Sequence, residues 1–169
     1  MAFRADVSYD GGTVEPGQID FEYLRKCSLF GGLTAEAFEN VRPLIRRQAF
    51  AAGAVILAEG SVNDRIYFIE SGRVDITKAT ATPTGTYDRH IVAMSAGDTF
   101  GEMELIDVQP CEATVRALEH TVTLTLSNSD LYRVSKIDMK TFALLIMNLA
   151  REMSRRLRQT DRLFVKGSP

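Results

Sequence analysis

Apolar positions recur with two different periods along this chain, and the changes of period mark its elements. From Ile19 to Ile45 the spacing is helical. Ile19, Tyr23 and Leu24 predict a short helix, and Thr34 caps a second that carries Phe38, Val41 and Ile45, with LFGGL as the turn between them. From Ala54 to Ser127 the period becomes two. Ile66, Phe68 and Glu70 alternate with Tyr67 and Ile69, Val74 and Ile76 with Asp75 and Thr77, and Val122, Leu124 and Leu126 with Thr121, Thr123 and Thr125. Gly60, Ser71 with Gly72, Pro83 to Gly85, and Gly97 with Asp98 supply the turns. After Leu131 the helical period returns, and Phe142, Leu145, Ile146, Leu149, Met153, Leu157, Thr160 and Phe164 form one stripe.

Short strands separated by regular turns predict an antiparallel sandwich or jelly roll, in which two sheets cover each other's apolar faces. The expected class is mainly β with flanking helices. A jelly-roll-like β-roll occupies residues 49–127 and a long C-terminal helix residues 139–164. Residues 1–17 show no clear period and are expected as a loose N-terminal lead to a single domain over 18–169. The helical stripe runs past what one small roll covers and predicts a symmetric homodimer through the C-terminal helix.

Composition narrows the function classes. With 45% apolar and 25% charged residues among 169, the chain can bury a core without a stapling device. A formal net charge of -2 gives no global attraction to nucleic acid or to an anionic membrane. Cys27 and Cys111 make neither a disulfide framework nor a metal cluster, and they suit a reducing cytoplasm. No apolar run has signal-peptide or membrane-spanning character, so a cytoplasmic protein is expected. A metal-dependent enzyme on a similar roll needs several clustered histidines, and His90 and His120 are the full supply. No catalytic residue, metal site or resident cofactor is expected.

The segment GDTFGEMELIDVQPCEATVRA, Gly97 to Ala117, carries the strongest signal. With LFGGLTAEAF, AEGSVNDRIYFIESGRVDI and MSAGDTFGEMELID, it resembles the cyclic-nucleotide-binding domain family over about Phe21 to Leu163. The family's phosphate-binding cassette reads roughly G-E-x-x-L, a short turn, then P-R-A-A-T-V. Gly101, Glu102 and Leu105 fit it, with Met103 inside the first motif, as do Pro110, Ala113, Thr114 and Val115. The resemblance implies that Glu102 accepts a hydrogen bond from a ribose hydroxyl, that Gly101 lets the backbone approach closely, and that the ligand is cAMP or cGMP. In MSRRLRQTD, Arg156 and Thr160 match base-side positions of the family's lid helix, while Asp161 replaces a small hydroxyl residue.

Two departures bear on the phosphate. Cys111 stands where the family has arginine, and Glu112 follows it. Losing one partner of a buried ion pair costs about 3–5 kcal/mol, more than two decades of affinity. Glu112 adds repulsion if it faces the ligand. Arg116, four residues further along the same strand, is the candidate substitute cation, with Arg65 and Arg89 in neighbouring hairpins.

The expected function is a regulatory module that binds ordinary cyclic nucleotides weakly or not at all and works through dimerisation and a protein partner. The alternative is a functional receptor with a substitute cation. A third possibility makes Cys111 a thiol switch. In the family's transcription factors a DNA-binding helix-turn-helix follows the long helix. Few residues follow Phe164 here, so no sequence-specific DNA contact is expected.

Overall fold

The computed structural model describes residues 12–13, 19, 21–25, 27–83, 85–107 and 109–167, with side chains except at 12, 13, 159 and 163–167. The chain forms two compact units. One combines the N-terminal segment with residues 45–128, and the other combines residues 18–44 with 129–169.

The first unit holds the strands β1 (Gly12–Thr13), β2 (Arg46–Phe50), β3 (Val55–Leu57), β4 (Arg65–Ser71), β5 (Arg73–Thr82), β6 (Gly85–Ser95), β7 (Thr99–Phe100), β8 (Thr114–Ala117) and β9 (Thr121–Ser127). They make a five-stranded sheet ordered β1-β2-β9-β4-β7 and a four-stranded sheet ordered β3-β8-β5-β6. Every pairing is antiparallel. Mainly β structure with flanking helices is therefore the observed class. Its first long strand starts at Arg46 rather than Ala49, because Arg46 already pairs with Thr125. Within the expected loose lead, Gly12 and Thr13 pair with Ala49 and Gln48 and extend the sheet edge.

Strands β2, β3, β4, β5, β7 and β8 share a core that includes Phe50, Ile56, Ile69, Val74, Phe100 and Val115. The Tyr67 and Phe100 rings stack there at 4.9 Å between centroids. Strand β9 goes further than simple alternation, for Thr121, Thr123 and Thr125 are as buried as Val122, Leu124 and Leu126. Thr121 Oγ1 donates to the Arg73 and Glu119 carbonyls, which removes much of the penalty of burying that hydroxyl. At the β4–β5 turn, Gly72 has φ +87°, and a Cβ there would meet His120 O at 2.6 Å.

The second unit contains α1 (Phe21–Leu24) and α2 (Ala35–Val41) in its N-terminal part. Thr34 Oγ1 accepts from Ala37 N at 3.1 Å and caps α2 as its sequence predicts. Ile45 lies outside that helix. Pro43 has no N–H to continue the α ladder, and Arg42–Leu44 tighten into a 3-10 turn instead. After β9 the chain enters α4 (Asn128–Ile137) and then α5 (Met139–Gly167), with α3 (Glu102–Asp107) belonging to the first unit. Asp138 separates α4 from α5. Its carboxylate accepts from Thr141 Oγ1 at 2.6 Å and from the Lys140 and Thr141 amides, capping the long helix.

The face that α5 buries takes Leu145 and Leu149 out of the stripe read as a dimer seam. Leu145 and Leu149 are 1% and 3% exposed within the isolated chain. Asn148, also buried, donates to the Leu29 and Gly31 carbonyls at 3.0 and 2.8 Å and fixes α5 on the 3-10 turn Ser28–Phe30. Ile146, Met147 and Leu157 are among the exposed apolar residues of the helix, and the side chain of Phe164 lies outside the described residues.

Candidate functional site

The cassette begins at a sharp bend between β7 and α3. Gly101 has φ +79°, and a Cβ there would lie 2.8 Å from Arg65 O and 2.9 Å from Asn63 Nδ2. Only glycine fits such a conformation at such a distance. Asn63 secures the bend by donating to the Gly101 and Arg65 carbonyls at 3.0 and 2.7 Å, while its Oδ1 accepts from Arg65 N. Glu102 opens α3 with 4% exposure, and Leu105 is buried one turn on. Met103 points away from this core, at 52% exposure.

Beyond α3 the chain returns through Cys111 into β8. Both backbone polar groups of Cys111 are fixed, since its N–H donates to Ser61 O at 2.8 Å and its carbonyl accepts from Gly60 N at 2.7 Å. Its side chain is 3% exposed and belongs to the roll's apolar core. Burial pushes the Cys111 thiol up from its ordinary pKa, outweighing the hydrogen bond that Ser61 Oγ gives the sulfur at 3.7 Å. Position 111 therefore holds a neutral, buried thiol.

Glu112 turns outward. Its carboxylate lies 2.6 Å from Lys78 Nζ, and both side chains are largely in solvent, at 68% and 46% exposure. Hydrogen bonding and then Coulomb attraction hold Glu112 below and Lys78 above their usual pKa values. Lys78, which the sequence pattern did not single out, is the cation that meets Glu112. Val74, Ile76 and Lys78 share one strand parity, and that pattern puts a lysine in line with two residues of the apolar face. The β5–β8 register pairs Thr77 with Thr114 and so brings Lys78 beside the cassette.

Ala113 is half-buried, and Thr114 Oγ1 accepts from Glu59 N at 3.1 Å while Glu59 Oε2 accepts from Ala79 N at 2.8 Å. Glu59 thereby ties the start of β8 to β5. Arg116 alternates with the buried Val115 and Ala117, is exposed, and donates to Gly53 O at 2.8 Å. It does not join Cys111 and Glu112. Arg65 pairs with Asp64, and Arg89 lies opposite Lys78 in the β5–β6 register.

Arg156 and Thr160 belong to α5 in the second unit. Arg156 Nε lies 3.6 Å from Glu152, and Thr160 Oγ1 donates to Arg156 O at 3.1 Å. Both groups are thus engaged within their own helix.

A cavity of about 280 Å³ in the first unit is lined by Gln48, Phe50, Asn63, Asp64, Arg65 and Tyr67, among others. Asn63 is thus shared between that cavity and the Gly101 bend. Among the described residues no helix is long and apolar enough to cross a membrane.

Known proteins resemble this chain in sequence and fold. The chain is 29% identical over 133 residues to the cyclic AMP receptor protein of Thermus thermophilus, covering 79% of this chain and 58% of that protein. It is 39% identical over 98 residues to a cyclic nucleotide-gated potassium channel of Rhizobium etli, covering 58% of this chain and 25% of the channel. It therefore spans less than two thirds of either relative. A crystal structure of a cyclic nucleotide-binding domain from Methylobacillus flagellatus superposes with a TM-score of 0.75 at 26% identity, covering 88% of this chain and 82% of the other. The family model described as cyclic nucleotide-binding domain matches residues 47–138, which hold all of β2 but Arg46, β3 to β9, the Gly101 bend, Glu102 and Cys111. With fold, cassette and sequence match in agreement, this chain belongs to the cyclic nucleotide-binding domain family.

Proposed function

We propose that the chain is a non-catalytic regulatory module in which the ribose-holding half of the site is kept and the phosphate clamp is lost. On this reading it binds ordinary cAMP or cGMP weakly or not measurably and acts through a homodimer and a protein partner. The observation that carries the reading is the burial of Cys111 as a neutral thiol at the arginine position. A phosphodiester anion brought to that position meets no cation and must give up its hydration, so the anchoring energy is absent. Gly101 and Glu102 keep the positions that suit a ribose hydroxyl, and Arg156 and Thr160 supply part of a lid.

Dimerisation is supported by the exposed edge of α5. Ile146, Ala150, Met153 and Leu157 recur at alternating spacings of four and three, and Leu157 is 64% exposed. A second copy of the helix would cover them. Free, buried Cys27 and Cys111 fit a cytoplasmic setting.

The test is a calorimetric titration of the unaltered protein with cAMP and with cGMP. No measurable heat, or a dissociation constant near the millimolar range, is expected, and submicromolar binding of either would overturn the proposal. A second reading, a working receptor with a substitute cation, is favoured by one observation, the reach of Lys78 into the cassette.

A further inference from the structure

We propose that Lys78 is the anion-holding residue of the altered cassette and that Glu112 occupies it in the resting chain as an internal plug, which a phosphodiester monoanion must displace. The inference rests on the degenerate-cassette reading and adds how the site is regulated. One of the two altered residues, Cys111, has withdrawn into the core, whereas the other, Glu112, places its carboxylate 2.6 Å from an ammonium contributed by a different strand. The cassette has thus acquired both a new anion and a cation that meets it.

Geometry makes the pair displaceable. The backbone before Glu112 is pinned at Cys111 by Gly60 N and Ser61 O, so the carboxylate can swing away without moving the cassette. An exposed lysine–glutamate pair holds together weakly and is screened by salt. Lys78 itself is kept in place by β5. Its strand is bonded to β8 up to Thr77–Thr114, and the Glu59 carboxylate braces the next residue by accepting from Ala79 N. The charged groups around the ammonium are Glu112, Glu59 and, across the β5–β6 register, Arg89. Glu59 is engaged with the backbone, which leaves Glu112 as the mobile counter-ion.

The experiment compares cAMP affinity, by calorimetry at low and moderate salt, for the unaltered chain, Glu112→Gln, Lys78→Gln and the double variant, with Cys111→Arg/Glu112→Ala as a clamp-restored reference. Glutamine keeps the shape of Glu112 and removes its charge. Glu112→Gln is expected to gain about tenfold or more in affinity, as a freed charge-assisted contact does. That gain should shrink with salt, vanish in the double variant, and be absent when adenosine replaces cAMP. A Glu112→Gln gain that survives Lys78→Gln means simple repulsion and overturns the proposal. So does no gain for Glu112→Gln. If the clamp-restored reference binds in that case, the degenerate-cassette reading still stands. Submicromolar binding by the unaltered chain overturns both. Both positions are exposed, and unchanged thermal unfolding of each variant shows that folding is not the cause.

Discussion

Asn63 and Gly101 are joined by a 3.0 Å hydrogen bond from the side-chain amide of the first to the carbonyl of the second, across 38 positions of sequence. The same amide holds Arg65 O at 2.7 Å. One buried side chain thus sets the bend from which Glu102 projects and locks it to the start of β4. The Gly101 bend is built on this contact, while Cys111 and Glu112 have their own partners at Ser61 and Lys78.

Gly101→Ala is expected to destabilise the fold by about 1–3 kcal/mol from the left-handed backbone alone. The clash with Arg65 O adds to it, because backbone cannot move aside as a side chain can. Asn63→Ala should cost about 1–3 kcal/mol, leaving two part-buried carbonyls short of a donor. Thermal unfolding checks both. Equal stability of Gly101→Ala and the unaltered chain would contradict the geometry of the bend.

The α5 faces make opposite predictions. Leu149→Glu places a charge in the interior of the second unit and should unfold it, by the mechanism that makes unpaired buried charges so costly. Ile146→Glu with Leu157→Glu leaves that interior intact and should give folded monomers, with helicity by circular dichroism unchanged. Sedimentation at tens of micromolar separates the outcomes. A monomeric unaltered chain would end the dimer proposal.

Burial raises the Cys27 thiol to about 11 from an ordinary 9.0. In the unfolded chain the thiolate forms at lower pH than in the folded one, so the folded state is favoured below pH 9 and loses that advantage as pH rises from 9 toward 11. Cys27→Ala should flatten that part of the stability profile, measured by denaturant unfolding across pH 8 to 11. Cys111 is shifted in the same direction, so both thiols should label far more slowly than free cysteine at neutral pH. Labelling of Cys111 at the rate of free cysteine would revive the thiol-switch possibility.

Hydrophobic period made the roll legible, since alternation in the sequence marks β4, β5 and β9 as strands, although β9 is buried on both faces. Where it misled, tertiary context decided. Leu149 and Ile146 lie on one helical stripe in sequence, but Asn148 anchors α5 on the Ser28–Phe30 turn and turns Leu149 inward while Ile146 stays out. The family was legible through the motif around Gly101 and Glu102, whereas Asn63 and Lys78 were not singled out. Lys78 meets Glu112 across 34 positions, a relation created by strand register, and Asn63 stands in a loop with no period to mark it.

The cassette predicts its own repair. Cys111→Arg together with Glu112→Ala should convert weak or absent cAMP binding into measurable binding, a gain of about 3–5 kcal/mol if the new guanidinium is desolvated against the phosphate. The gain is limited by the site Cys111 now fills. Its neighbours Val115 and Phe100 are apolar and its backbone is pinned, so a lone arginine with no ligand must either reach solvent or lower stability. Ligand should therefore raise the thermal midpoint of the double variant much more than that of the unaltered chain, because binding stabilises by mass action. Adding Glu102→Ala to the repaired cassette should weaken cAMP again, since the 2'-hydroxyl then loses its acceptor, while leaving 2'-deoxy-cAMP affected far less. If the repaired protein binds no better than the unaltered one, the loss of the arginine is not what silences this site, and the clamp must be sought elsewhere in the roll.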